Sequence, residues 1–409
     1  NGVSLRNPSQ AAIQVVKDVK VSVILRDSTE SYLSDSSTSS VKAVFLSKGQ
    51  LVFSGKGILH VNGKYKHGIF SNDYIRLLDG NIYVNEAVSD GMHADYIQVY
   101  QGNLYLHGKT GMEAEDSIVE ISGGNVQITQ ITASGTTVLD TVGRGYDPSY
   151  CTGIKCDGNV SITGNAQLNV LCGSSNAGGK CISTEGSVIV NSGLVKLVTA
   201  GAGAIYTDSA GTTDSYTSAC IKSDAHVYLY GGNVSCSSSG SGGKGINCDS
   251  NIVMGILNAR DSNLMLTVTT TGERFVVSSG SSGGGSWGGW GGWGGGHPGQ
   301  NSSDYANPKG IKALQQLVVN SGFIQVTCTQ SNEGGECMES KNELTINGGV
   351  VEAVSKNDDA INAAKKIRIT GGKVYALSSG NDGIDCNGGM YISGGLTVAV
   401  GSKQPEAGL

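Results

Sequence analysis

The sequence predicts an all-β protein built as a single-stranded, right-handed parallel β-helix, a solenoid of about thirteen coils with long loop insertions. Two observations support this prediction. Of the 409 residues, 63 are glycine and only 15% are charged, whereas 38% are hydrophobic. Glycine spread through a hydrophobic chain is typical of many short strands joined by tight turns. In addition, a pattern recurs every 20 to 25 residues where it is tightest, which is a solenoid period.

The repeat unit starts from one apolar residue, which we call the anchor. Alternating apolar residues follow it, then Gly-Gly or Gly-Asn, then a second alternating stretch, as in "DAINAAKKIRITGGKVYAL" and "DGIDCNGGMYISGGLTVAV". The anchors are Ile69, Met92, Met112, Ile154, Ile182, Ile221, Ile246, Ile311, Met338, Ile361 and Ile384. Two weaker copies precede them, anchored near Ile13 and Phe45.

The residues around each anchor predict a narrow interior. The position before the anchor is always glycine, alanine or cysteine, and the position two after it is always small. Since side chains two apart on a strand share a face, large anchors and small residues alternate along one inward row. Three short strands per coil, with coils about 4.8 Å apart, fit this pattern. The hairpin turns of a sandwich and the four-stranded blades of a propeller are not seen in the sequence.

The domain organisation follows from the continuity of the repeat. We predict one β-helix domain over residues 1–409, with longer connections at roughly 132–150, 206–218 and 270–308. The last is a Gly/Ser/Trp-rich insertion that holds every tryptophan of the chain, Trp287, Trp290 and Trp293. Insertions in solenoids lie on the outside and often carry the binding function.

The ten cysteines suggest an oxidising compartment, because none has a zinc-type spacing. Cys181 and Cys220 occupy the same pre-anchor position of neighbouring coils, within disulfide reach if the coils stack. A rival arrangement pairs Cys172 with Cys181 and Cys328 with Cys337, each across eight residues. Both disulfide arrangements stay open. Cys156, Cys248 and Cys386 occupy inward positions, so we expect them to be small, buried hydrophobic residues of the core.

Charge and sequons add to the prediction of an extracellular or cell-surface protein. Asn159, Asn233 and Asn301 begin Asn-X-Ser triplets, the acceptor motif of N-glycosylation. A net charge of −6 disfavours nucleic acid as a partner and is compatible with divalent cations. No apolar run approaches the roughly 20 residues that a membrane span needs. The abrupt start on "NGVSL" is what a processed product or a fragment would show.

An acidic row is the candidate metal site. The position three after the anchor is acidic in six consecutive coils, at Asp95, Glu115, Asp157, Glu185, Asp224 and Asp249. Carboxylates about 5 Å apart repel one another, and calcium, which prefers oxygen ligands, would relieve that repulsion. An acidic solvated face, partly neutralised by Lys155 and Lys222, is an equally weighted alternative. Further aspartates, Asp90, Asp359 and Asp382, sit before the anchor, where turn chemistry is the favoured explanation.

Aromatic side chains are the candidate sugar contacts. Tyr83 and Tyr105 are outward residues on adjacent coils, with Tyr375 further along, although ordinary cross-strand stabilisation is the favoured explanation for them. In an extended helix of three residues per turn, the three tryptophans would align on one edge, roughly 9 Å apart. That spacing suits a glycan, but self-packing or an interface with another molecule ranks slightly higher for them.

The sequence resembles the extracellular carbohydrate-binding proteins whose right-handed β-helix is related in fold to pectate lyases. The stretches that carry the resemblance are "AAIQVVKDVKVSVIL", "KAVFLSKGQLVFSGKGILHVNG", "HGIFSNDYIRLLDGNIYV" and the C-terminal "DGI…ISGG" coils. The resemblance covers nearly the whole chain. It implies a secreted or cell-surface protein that binds plant-type or acidic polysaccharide, uses calcium and has no demonstrated lyase activity.

The leading functional hypothesis is therefore a secreted, non-catalytic polysaccharide-binding protein, with cation assistance. One alternative is a structural subunit of an extracellular filament, assembled by end-to-end stacking of β-helices or by lateral contacts between copies. Another is a polysaccharide lyase. Catalysis has little support, because no arginine recurs beside the acidic row and Asp358-Asp359 lacks the companions of pectin hydrolases. His93 beside Asp95 is the least implausible acid–base pair, but a solvated surface pair is the favoured interpretation.

Overall fold

The computed structural model is a parallel β-helix of thirteen stacked coils, described for residues 2–130, 138–142, 145–173, 178–207, 213–259, 263–278, 304–331 and 334–402. Each coil carries up to three strands, which we call the anchor, second and third strands. The described residues contain no α-helix. The predicted all-β parallel β-helix is thereby confirmed.

The anchor strands and third strands together form one 25-stranded sheet, and the second strands form a 13-stranded sheet. The anchor strands are Ile13–Val15, Ala43–Ser47, His67–Ser71, Thr152–Cys156, Lys180–Thr184, Ala219–Ser223, Lys244–Cys248, Lys309–Ala313, Met338–Ser340, Ile361–Ala363 and Ile384–Cys386. The third strands are Ser4–Arg6, Glu30–Ser34, Ile58–Gly63, Asn125–Gln130, Gln167–Cys172, Leu194–Thr199, Gly232–Ser238, Leu264–Thr270, Phe323–Cys328, Val350–Ser355, Lys373–Ser378 and Leu396–Val400. Two long strands, Asn81–Ala94 and Asn103–Ala114, run unbroken from a third strand into the next anchor strand.

The second strands complete the coils on the other side of the tube. They are Val21–Leu25, Leu51–Gly55, Tyr74–Leu77, Tyr96–Val99, Ile118–Ile121, Asn159–Ile162, Val188–Val190, Val227–Leu229, Ile252–Met254, Gln316–Val319, Glu343–Ile346, Lys366–Ile369 and Gly389–Ile392. The last coil lies at the end of the stack, and several of its apolar side chains, such as Ile392 and Leu396, are exposed.

The register of the coils follows the sequence repeat. Anchors pair with anchors from coil to coil, as Met92 does with Ile69 and with Met112. The anchors from Ile69 to Ile361 are buried, and so is the small residue two after each of them. The core is therefore a continuous column of stacked apolar side chains along the tube, as the alternation of large and small residues predicts.

All three predicted insertions contain an antiparallel hairpin, and all leave the tube between a third strand and the next anchor strand. The hairpins pair Val138–Val142 with Gly145–Ser149, Ala204–Thr207 with Thr213–Tyr216, and Phe275–Ser278 with Asp304–Ala306. The predicted sites Trp287, Trp290, Trp293 and Asn301 fall between the strands of the third hairpin and lie outside the described residues.

The predicted disulfides are wrong for this structure, because all ten cysteines are free thiols. Cys172, Cys181 and Cys220 are instead buried and act as donors to main-chain carbonyls, as in the 3.2 Å contact from Cys181 Sγ to Val198 O. Cys181 lies within hydrogen-bond reach of both Cys172 and Cys220, so these thiols meet without being bonded to each other. Cys328 and Cys337 are buried in the same manner.

Membrane insertion through a helix is not seen: no helix long and apolar enough to cross a bilayer occurs within the described ranges.

Candidate functional site

Stacking of the coils aligns polar residues of successive anchor strands in rows. Two of these rows lie close to the anchors, one on each side. We call the residue two before each anchor the corner residue. Lys180, Lys244 and Lys309 belong to this row, and the pairing of successive anchor strands aligns them. Residues one after the anchor form the second row, which includes His93, Glu113 and Lys155. The sequence analysis placed Asp90, Asp359 and Asp382 in the corner row and explained them by turn chemistry, but it did not find the histidines and lysines that stack with them.

A cluster of two histidines and one aspartate lies in these rows near the N-terminal end. His67 and Asp90 are corner residues of successive coils, and His93 follows the anchor Met92. Asp90 Oδ2 lies 2.7 Å from His67 Nδ1 and 2.9 Å from His93 Nδ1. The carboxylates nearest to His93 are those of Asp90 and Glu115. Among the described residues, His93 forms no ion pair with Asp95, its neighbour in the candidate acid–base pair.

Burial and charge set the protonation of this cluster. Burial lowers the pKa of His67. Burial also opposes the charged form of His93, but the neighbouring carboxylates of Asp90, Glu113 and Glu115 raise its pKa. Although burial favours a neutral carboxyl, the two imidazoles hold the pKa of Asp90 well below its usual range. The cluster thus holds one carboxylate between two imidazoles of unequal basicity.

The predicted acidic row lies on the surface, with five residues exposed and Asp95 half-buried. It divides into two environments. Lys222 Nζ lies 2.5 Å from Asp224 Oδ1 and 2.6 Å from Asp249 Oδ2, so a lysine already neutralises that stretch. At Asp95, burial and the nearby Asp116, Asp73 and Glu115 raise the pKa.

Asp157, two coils further along the same row, shares the environment of Asp95. Burial raises the pKa of Asp157, Lys155 opposes the rise, and Glu115 and Asp116 add to it. Carboxylate oxygens with several acidic neighbours fit a hard cation such as calcium. The lysine-bridged stretch at Asp224 and Asp249 does not.

A buried ionic cluster occupies the same two rows further along the tube. Lys309 is 5% exposed and contacts the carboxylate of Glu336, with Glu339 Oε1 3.6 Å away. Lys341 Nζ lies 2.5 Å from the same oxygen of Glu339. Burial opposes the charge of Glu339, but the surrounding lysines lower its pKa to about 2. These side chains neutralise one another and leave little charge for a ligand.

The predicted sugar contacts Tyr83 and Tyr105 are part of an aromatic stack on the outer face of the third strands. Tyr32 stacks on His60 at 4.7 Å between ring centroids, His60 on Tyr83 at 5.3 Å, and Tyr83 tilts toward Tyr105 at 6.3 Å. Both faces of the Tyr83 ring therefore meet another ring. Rings packed against rings in this way suit cross-strand stabilisation better than sugar stacking.

Tyr375 has a different setting on the same outer face, near the other end of the tube. It pairs with Glu352 on one side and Val398 on the other, so no ring flanks it in its row. Tyr375 is 43% exposed and helps to line a concavity of about 330 Å³. The side chains that line it are Glu352, Val354, Leu377, Val398 and Val400, beside the backbone of Ala376. We call this surface the Tyr375 patch.

The remaining predicted sites are the sequon asparagines. Asn159 and Asn233 are both exposed, and they lie at the start of the strands Asn159–Ile162 and Gly232–Ser238. The Asn159 side chain accepts a hydrogen bond from the Ser187 N–H at 2.8 Å. Glycosylation at either position stays a prediction.

A comparison with protein families decides the broad class. The model of a family of carbohydrate-binding domain-containing proteins matches residues 1–263 and 298–383. The chain belongs to this carbohydrate-binding family. Searches of curated proteins and of solved structures found no match.

Family membership also bears on the candidate sites of this carbohydrate-binding protein. Tyr375 and the histidine cluster lie inside the matched ranges, whereas all three tryptophans lie outside them. The predicted relation in fold to pectate lyases stays a prediction.

Proposed function

We propose that this protein is a secreted, non-catalytic polysaccharide-binding protein and that a glycan chain docks on the Tyr375 patch. The observation that carries the proposal is an exposed tyrosine ring in a shallow concavity of a protein from a carbohydrate-binding family. Aromatic faces pack against the C–H faces of sugar rings. The polar atoms needed for orientation are supplied by Glu352 and by Gln325, whose Nε2 donates to Glu352 Oε2 at 3.2 Å.

The patch also has the shape that a polymer requires. Its exposed apolar side chains come from three consecutive coils, so they extend along the tube rather than forming a closed pocket. Contiguous exposed apolar surface of this kind commonly marks a binding site. A chain of sugars crossing the coils would contact several of them at once.

The test is retention of the full chain on a panel of insoluble and gel-embedded polysaccharides, neutral and acidic. Tyr375→Ala should weaken retention on the polymer that binds the parent protein. Tyr65→Ala is the matched control, because Tyr65 is 41% exposed but far from the patch. Equal retention of Tyr375→Ala and the parent would refute the location, and no retention on any glycan would refute the function.

We further propose that calcium assists binding at Asp95, Glu115 and Asp157, where the mutual repulsion of carboxylates supports a hard cation. Calorimetric titration with calcium chloride should give heat for the parent and much less for Asp95→Asn with Asp157→Asn. Asp224→Asn is the control, because Lys222 already neutralises that aspartate. An unchanged heat in the double variant would contradict the assignment.

End-to-end assembly into a filament is a second candidate, since β-helices stacked at their ends pair strand edges that would otherwise be free. Electron microscopy at high protein concentration tests it, and single short rods would count against it. The lyase alternative stays a prediction, and release of unsaturated product from polygalacturonate with calcium would support it.

A further inference from the structure

The cluster of His67, Asp90 and His93 takes no part in the proposed glycan site. Its three polar side chains are buried. The three residues are 1%, 2% and 7% exposed. Each offers one ligand atom, and these atoms lie within 4.8 Å of one another, the one such group of three found in the described residues. Buried polar side chains of this kind are expected to have full sets of partners.

His67 lacks a full set of partners. Its Nδ1 meets Asp90 Oδ2 at 2.7 Å, but its buried Nε2 has no hydrogen-bond partner among the described residues. Leaving a buried polar atom unpaired is unfavourable. A cation bound between His67 and Asp90 would take a lone pair from the imidazole and one from the carboxylate.

The donor set of the cluster is two imidazole nitrogens and one carboxylate oxygen, a combination typical of sites for zinc and related divalent ions. Such ions bind nitrogen and oxygen at about 2.0–2.2 Å, so tetrahedral ligands lie about 3.3 Å apart. The observed separations of 2.7 and 2.9 Å from Asp90 Oδ2 are within a small side-chain adjustment of that value.

The outer contacts of His93 match those of a metal-binding histidine. Its Nδ1 faces Asp90, and its Nε2 lies 3.2 Å from Glu115 Oε1. Histidine ligands usually donate their second ring N–H to a carboxylate, which fixes the ring orientation. Glu113 lies on the same side, 3.7 Å from His93 Nδ1, and is held by Lys155 Nζ at 2.6 Å.

The walls of the cluster are also suited to holding an ion. Phe70 stacks on His93 with ring centroids 4.8 Å apart, and Thr110 is the corner residue of the next coil. The Phe70 ring thus covers one side of the cluster and limits water access there.

We propose that His67, Asp90 and His93 bind one divalent transition-metal ion of the zinc type, with Glu115 as the outer partner of His93. A water molecule or Glu113 would complete the coordination. Calcium is the wrong ion for this position, because it prefers six to eight oxygen ligands over imidazole. The site therefore differs in its ligand atoms from the oxygen-only acidic row, although Glu115 of that row is its outer partner.

The test uses the full chain, stripped with a chelator and dialysed. Titration with zinc chloride in a calorimeter should show one equivalent bound, and cobalt chloride should give the visible absorption of a tetrahedral Co²⁺ site. Both signals should be lost in His67→Ala and in His93→Ala. His107→Ala is the matched control and should keep both, because His107 bonds Thr129 outside the cluster.

A second variant guards against loss of folding. Glu115 has an exposed side chain, so Glu115→Gln should fold normally, as circular dichroism would show. It should weaken zinc binding by about 10–100-fold, the usual effect of removing an outer partner. Absence of zinc binding by the stripped parent, or unchanged binding in His67→Ala and His93→Ala, would overturn the proposal.

Discussion

Lys222, one after its anchor, and the corner residue Lys309 show how burial changes the energetic contribution of an ion pair. Lys222 bridges Asp224 and Asp249, whose side chains are 52% and 41% exposed. Lys309 contacts Glu336 and Glu339, whose side chains are 9% and 2% exposed. Exposed pairs are screened by water, whereas removal of one partner of a buried pair leaves an uncompensated charge.

We therefore predict that Lys309→Met lowers the free energy of unfolding by about 3–5 kcal/mol. Lys222→Met, its matched control, should lower it by about 0–1 kcal/mol. Urea unfolding followed by circular dichroism measures both. Losses of equal size in the two variants would contradict this account of the buried cluster.

Asp359 carries a pH prediction. Burial, with help from the charge of Asp358, raises the pKa of Asp359 to about 7, compared with about 3.9 in an unfolded chain. Between these values the folded state holds a proton that the unfolded state has lost. Stability should therefore fall as pH rises from about 4 to about 7, and the loss should persist at higher pH.

Asp359→Asn should remove this pH dependence, because an amide does not titrate. Its oxygen can still accept hydrogen bonds from Asn381 and from the Asp382 N–H. At pH 8 the variant should be more stable than the parent, by on the order of 2 kcal/mol. Urea midpoints at pH 5 and pH 8 test this, with the exposed Asp27→Asn as control. A parallel pH profile in parent and variant would refute the assignment.

At the scale of the elements, the anchor strands show which parts of the structure can be read from sequence. The anchors and their small neighbours were predictable, since a narrow core repeats the same steric demand in every coil. The acidic row at Asp157 was also placed correctly on the surface.

The His67–Asp90–His93 cluster was missed for a physical reason. Its members come from different positions of the repeat, two before and one after the anchor, so no single spacing reveals them. Only the pairing of successive coils brings His67 and Asp90 together. The disulfide prediction was wrong although the predicted partners do meet, because proximity of two cysteines does not by itself fix a bond; Cys181 contacts Cys172 and Cys220 as a free thiol.

The pre-anchor position of the strands gives a third prediction. Burial raises the pKa of the Cys181 and Cys220 thiols well above its usual value, and the thiolate is the reactive form. Iodoacetamide should therefore modify the native protein first at Cys386, which is only partly buried. The other nine cysteines should react only after unfolding.

Peptide mass spectrometry of native and urea-treated samples would locate the labelled cysteines. Samples prepared without a reductant should give the same pattern. Rapid native labelling of Cys181, or a disulfide-linked peptide containing it, would contradict the free buried thiol.

At the scale of the whole molecule, the tube is continuous across its longest insertion. Thr270 ends one third strand and Lys309 begins the next anchor strand, and both strands pair with their neighbours on each side. The preceding coil makes the same connection with only Ser239–Gly243.

We predict that replacing residues 271–308 with a copy of Ser239–Gly243 preserves the β-helix, as far-ultraviolet circular dichroism would show. Polysaccharide retention should largely persist, because the Tyr375 patch is untouched. A separate variant, Trp287→Ala with Trp290→Ala and Trp293→Ala, is the comparison. Loss of retention in both would transfer the glycan contact to the tryptophans, and loss of the β-sheet spectrum would refute the continuity of the tube.

The three hairpins all leave the tube at the same edge, between a third strand and the next anchor strand. Sequence added at that edge leaves the pairing of the coils unchanged, because the strands on either side keep their partners. This edge is therefore a suitable place to insert foreign sequence. Foreign peptides inserted in successive coils would be displayed in a line at intervals of about 4.8 Å. The number of coils between two insertions would then set the distance between two displayed epitopes or enzymes.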